Sequence, residues 1–146
     1  MKRLFCAAAV LLMTMGTLST AVEAKPKQVP KVYIFGFSAS FKNPVVYLTD
    51  IQELDSAWID SKTKFLLGRD TYSTQLKDYL TQSVNDSHRT CVVMFSTEKA
   101  KAEKKYMKLK RTYTVKAKAK DGYDVKYLDR KDFSFETVDM SPSEEE

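Results

Sequence analysis

The sequence predicts an α+β domain: a two-layer sandwich in which a mixed sheet of about five strands is covered on one face by two helices. Three observations carry this expectation. Two-residue alternation of apolar and polar side chains marks residues 123–127 and 133–137 as strands, and residues 32–41 read as a strand that is apolar on both faces as far as Gly36. Apolar stripes at helical spacing mark residues 71–84 and 98–113. The order is a hairpin, a helix, a strand, a helix and two short strands. It makes residues 90–128 a strand–helix–strand crossover, with its two strands expected to be parallel.

The chain has 146 residues, and its first 24 read as an export signal. Lys2 and Arg3 form a basic start, Leu4 to Met15 is an apolar run, and Val22-Glu23-Ala24 places a small residue before the expected cut. An apolar run of twelve residues is too short to span hydrocarbon, which takes about 20. Removing 24 residues leaves 122 with a net charge near +4, enough for one domain with its own core. The expected location is therefore the periplasm or the cell exterior, with no transmembrane segment once the signal is gone. Charged residues make up 29% of the chain and aromatics 12%, which excludes wholesale disorder.

Residues 25–31 read as a flexible, Pro-containing lead, and residues 32–140 as the domain. In the first strand Tyr33, Phe35, Phe37 and Phe41 project from one face, and Val32 and Ile34 from the other. Lys42-Asn43-Pro44 is a turn, and Val45 to Leu48 returns as the second strand of an antiparallel hairpin. Asp50 to Glu53 has the spacing of a helical capping box but equally suits an extension of strand two. Trp58, Ile59, Phe65, Leu66 and Leu67 call for burial without a sustained period. The first helix carries Tyr72, Leu76, Tyr79, Leu80 and Val84 on one stripe.

Cys91 to Phe95 is a continuous apolar run, as in a fully buried strand. Cys6 leaves with the signal, so Cys91 has no internal disulfide partner and is expected to be a packed core thiol. In the second helix Ala102, Tyr106, Leu109 and Tyr113 form one apolar face. Residues 112–119 suit either the end of that helix or a strand. Tyr123, Val125 and Tyr127, then Phe133, Phe135 and Thr137, give the closing strands. Residues 141–146 read as a disordered acidic tail.

Catalytic and metal motifs are absent from the sequence. There is no glycine-rich phosphate loop, no paired-cysteine site and no HExxH. The single histidine of the mature chain, His88, lies in a polar loop and has no companions for a zinc site. Asp121, Asp124, Asp129 and Asp132 lack the order of a calcium loop. No cofactor and no metal are expected. Val32-Tyr33-Ile34 and Val46-Tyr47-Leu48 resemble the opening of GIY-YIG nucleases. Both motif glycines are missing, however, with Val32 and Thr49 in their places, and Arg69 and Glu103 stand only loosely where the Arg and metal-binding Glu would be needed.

The segments Val32 to Ser38, Tyr47 to Gln52 and Arg89 to Phe95 resemble small signal-peptide-bearing proteins of Bacteroidetes. That resemblance implies a bacterial envelope setting and carries no activity or site residues.

Charge supplies the functional expectation. Residues 98–120 hold ten Lys and Arg against Glu98 and Glu103, a local net of +8, so the rest of the mature chain sums to −4. At about 100° per residue, Lys101, Lys104, Lys108 and Arg111 line the face opposite the apolar one, while Lys105 and Lys110 flank it and can lay their stems over it. These four cations are the candidate binding residues. The expectation is a non-enzymatic envelope binding module taking a polyanion, either an anionic envelope component or an acidic protein. Nucleic acid fits the charge but not the compartment. The alternative is a small exported hydrolase with an unrecognised site.

Overall fold

The computed structural model describes residues 25–116 and 122–144. The expected signal at residues 1–24, the last part (117–119) of the undecided segment 112–119 and the last two glutamates lie outside these residues. Described elements are β1 Pro26–Ala39, β2 Val45–Thr49, β3 Gln52–Asp60, α1 Arg69–Gln82, β4 Thr90–Ser96, α2 Lys99–Arg111 and β5 Asp124–Leu128. A π-helical turn, Thr112–Lys116, extends α2. The α+β class and the mixed five-stranded sheet are as the sequence predicts.

β1 is the spine. Tyr33 and Ile34 pair with Glu53 and Gln52 on β3 and also with Ser96 and Phe95 on β4. Phe37 and Ser38 pair with Leu48 and Tyr47 on β2 and also with Val92 and Cys91 on β4. A strand has only two edges, so β2 and β3 follow one another along one edge of β1, and β4 takes the other. Between Phe37↔Leu48 and Ile34↔Gln52 the register slips by one residue. There the Gly36 N–H donates to the Thr49 hydroxyl at 2.8 Å instead of to a ladder carbonyl, as in a β-bulge. β5 pairs parallel to β2. β2 and β4 are both antiparallel to β1, so β4 and β5 run parallel, joined by the α2 crossover that the sequence predicts.

The placement of the helices differs from expectation. α1 packs Tyr72, Leu76 and Leu80 on the face carrying Val32, Ile34 and Val93. α2 packs Tyr106, Leu109 and Tyr113 on the opposite face, over Phe35, Phe37, Val46 and Leu48. The sheet is thus covered on both faces. The reason is in β1 itself, whose two faces are both apolar from Val32 to Phe37, so that each needs cover. Gly36 marks the tightest approach: a Cβ there would lie 2.7 Å from Leu76 Cδ2 and 3.0 Å from the Phe135 ring.

Five local expectations are corrected. Residues 26–31, expected as a flexible lead, are the first part of β1, laddered from Pro26↔Asp60 to Lys31↔Asp55. Of the two readings open for Asp50–Glu53, a helix start and an extension of strand two, neither holds, because β2 ends at Thr49 and Gln52 and Glu53 open β3. Phe41 leaves the β1 face for the hairpin turn, where it is fully exposed, and Phe65 is 59% exposed. β4 is an edge strand. Its apolar run reflects cover by helices on both sides, and its Val93 and Phe95 carbonyls accept hydrogen bonds from Arg69 and Lys105.

The fifth correction concerns residues 133–137, which form no strand. Phe133 and Phe135 are buried, but their backbone is held by side chains. The Gln52 amide donates to the Phe133 carbonyl and accepts from the Phe135 N–H, both at 2.8 Å. The Gln75 amide bonds both backbone groups of Glu136 at 2.9 Å. The Tyr72 hydroxyl accepts from the Val138 N–H at 3.0 Å. Two glutamine amides therefore take the place of a neighbouring strand, and the segment becomes a strap over the α1 face. Both core clusters, partly buried members included, lie within residues 29–138.

Candidate functional site

The candidate site is built on α2. Glu98 precedes it in extended conformation, and Lys108, Lys110 and Arg111 stand in its last turn, where the helix dipole favours cations. Ala102 is fully buried against the sheet, while Tyr106, Leu109 and Tyr113 pack over it from the half-buried flank. Tyr106 meets Phe35 edge-on at 5.3 Å, and Tyr113 lies 4.7 Å from Phe37. These contacts fix the rotation of the helix about its axis. They leave Lys101, Lys104, Lys108 and Arg111 exposed together on the outward face, as their spacing predicts.

Within this set the cations have different partners. Lys101 pairs with Glu98 at 3.0 Å, with both side chains more than 60% exposed, so the pair contributes little. Lys105 turns away from the outward row, donating to the Phe95 carbonyl at 2.9 Å and lying 5.6 Å from the Phe95 ring. Lys110 lies over the Tyr127 ring at 5.3 Å. The flanking lysines thus serve packing, as expected, and the outer four stay available to solvent. Met107, 58% exposed, stands among them.

Arg89, just before β4, is a second cationic centre. It is 4% exposed. Its Nε donates to the Ser38 hydroxyl at 3.0 Å, and its terminal nitrogens donate to Asp86 at 2.8 Å, to Asn43 at 3.3 Å, and to the Ser38 and Val45 carbonyls. Its guanidinium sits 4.7 Å from the Tyr47 ring. All five N–H groups have protein partners, so this arginine clamps the β1–β2 turn to the start of β4 and has no donor left for a ligand. No motif marks it; only the fold brings Ser38, Asn43 and Asp86 around it.

The other titration shifts trace to burial, turn hydrogen bonds and one surface pair. Burial pushes the Cys91 thiol up, opposed by its contact with the Ser38 hydroxyl at 3.4 Å and by Arg89. Cys91 is half-buried rather than fully packed in the core. Burial likewise raises Tyr47, Tyr72, Tyr79 and Tyr106. Asp60 and Asp139 are lowered, chiefly by backbone N–H donors from Lys62 and Ser141. Lys31 and Glu53 shift apart through their exposed hydrogen bond. Among the described residues no group of three or more His, Cys, Asp or Glu is placed to hold a metal ion, and no helix is long and apolar enough to cross a membrane.

No protein-family model, curated protein or solved structure matches this chain.

Proposed function

We propose that the protein is an exported, non-enzymatic binding module of the bacterial envelope, which takes polyanions through the outward face of α2. The observation that carries this reading is the exposed row Lys101, Lys104, Lys108 and Arg111, for which Glu98 is, among the described residues, the one acid within salt-bridge distance. Like charges at three- and four-residue steps cost a helix a few tenths of a kcal/mol per pair. The row therefore works against stability, and an anionic ligand would relieve it. The titration shifts support binding over hydrolysis, because each traces to a buried ring, the half-buried Cys91 thiol, a turn or a surface pair rather than to an acid and base facing one cleft.

The test is retention of the chain from Lys25 onward on an anionic matrix. Retention should fall steeply with salt and should be lost when Lys101, Lys104, Lys108 and Arg111 are changed to Glu. A control reversing the exposed Lys27, Lys62, Lys77 and Lys131 keeps the same net charge change away from α2. Equal loss in both quadruple variants would reduce the effect to overall charge and end the proposal. Intact mass of the exported protein should place Lys25 at its N-terminus, and a retained Met1 would remove the envelope setting.

A further inference from the structure

We infer that the polyanion is the surface of an anionic lipid bilayer, and that the end of the molecule holding the β1–β2 turn docks on it. This rests on the α2 ridge as an anion-binding surface and adds to it a set of exposed apolar side chains at that end.

Phe41 projects from the turn between β1 and β2 and is as exposed as in an extended chain. It touches no core cluster, and Lys42 beside it is exposed too. α2 starts beside Ser96, which pairs with Tyr33, and runs back so that Tyr113 reaches Phe37 near the turn. Tyr113 contacts Tyr123 at 5.0 Å, and the Asp124 N–H donates to the Pro44 carbonyl at 3.0 Å. The C-terminal end of α2, the start of β5 and the hairpin turn therefore share one end of the molecule. Val115, 65% exposed, and Tyr123, 40% exposed, belong to that end. Met107, Arg111 and Val115 lead to it at four-residue steps.

The grouping is uneven in a way that discriminates between ligands. A soluble polyanion would use Lys104, Lys108 and Arg111 and gain nothing from Phe41, Val115 and Met107. A bilayer uses both, since phosphate headgroups meet the cations while apolar side chains enter the acyl boundary. Among the described residues, the acids at this end do not cancel the charge: Asp86 is engaged by Arg89 and the Tyr47 hydroxyl, leaving Asp124 against Lys42, Lys108 and Arg111. The Phe41 ring stands free of the core, which suits a deformable surface rather than a rigid cleft.

The experiment compares vesicle partitioning with binding of soluble polyphosphate, using the chain from Lys25 because Leu4–Met15 would itself enter lipid. Vesicles of phosphatidylglycerol with phosphatidylcholine should bind it, and pure phosphatidylcholine should not. Phe41→Ser should lower partitioning roughly fivefold to tenfold, the loss of one inserted ring, and leave polyphosphate binding unchanged. Phe41 makes no core contact, so that variant keeps the fold, which circular dichroism checks. Val115→Ser should act in the same direction. Vesicle binding unaffected by both substitutions, with polyphosphate still bound, would overturn the lipid assignment and leave the anion ridge standing. Binding to neither probe would overturn both. A concentration-dependent dimer that Phe41→Ser dissolves would assign the turn to a second copy instead and overturn the lipid proposal.

Discussion

The two faces of the sheet are covered by helices of nearly equal length that are used in opposite ways. On one face α1 buries Tyr72, Leu76 and Leu80 completely, and the strap from Phe133 to Val138 seals its side. On the other face α2 buries only Ala102 completely and lays three half-buried side chains across the sheet. The α1 face is a closed core. The α2 face is a thinner layer that holds a cationic row at a fixed orientation. The difference shows how an apolar stripe of similar spacing serves stability in one helix and presentation in the other, depending on whether a third element closes over it.

The widest separation between the faces is expected in urea unfolding. Leu76→Ala removes a fully buried side chain wedged against Gly36 and should cost about 3 kcal/mol or more. Leu109→Ala on the half-buried face should cost about 1 kcal/mol. Equal losses would show that the α2 layer is as closed as the α1 layer.

The strap gives a smaller and sharper contrast. Gln52→Ala leaves the Phe133 carbonyl and the Phe135 N–H unpaired in a buried site and should cost about 2 kcal/mol. Gln75→Ala frees the exposed backbone of Glu136, where water can substitute, and should cost about 0.5 kcal/mol. Limited proteolysis within residues 133–140 should accelerate in the first variant and change little in the second.

The smallest effect lies at alkaline pH. Tyrosine ionises near 10.0 when unperturbed, and burial raises Tyr72 on one face and Tyr106 on the other. The unfolded chain then releases protons first, so this stability is present below pH 10.0 and is lost as pH rises through the folded-state values. Tyr106→Phe should flatten the alkaline decline with little change at neutral pH. Tyr72→Phe should flatten it too, but at a cost of about 1 kcal/mol at neutral pH, because Val138 loses its acceptor. Stability rising between pH 10 and 11 would reverse the sign and remove burial as the cause.

The elements legible beforehand were those whose pattern is local. The β1 strand follows from its apolar run, the Lys42–Pro44 turn from its residue types, and the stripes of α1 and α2 from side-chain periodicity. So does the outward row Lys101, Lys104, Lys108 and Arg111, because four cations opposite Ala102, Tyr106, Leu109 and Tyr113 share one direction on any helix packed by that face. What the sequence by itself determined is therefore which residues turn inward within each element, since period and hydrophobicity act over a few residues. The tertiary structure decided which element meets which. The apolar run of Cys91–Phe95 is the same in a central strand and in an edge strand between two helices. Residues 26–31 become strand because Asp55–Asp60 returns beside them, and Phe133–Phe135 does not because the Gln52 amide satisfies its backbone first. Arg89 is legible only in the fold, since its partners at Ser38, Asn43 and Val45 are more than forty residues away. Such pairings depend on loop closure and on competition for a limited set of backbone donors and acceptors, and no local pattern encodes either.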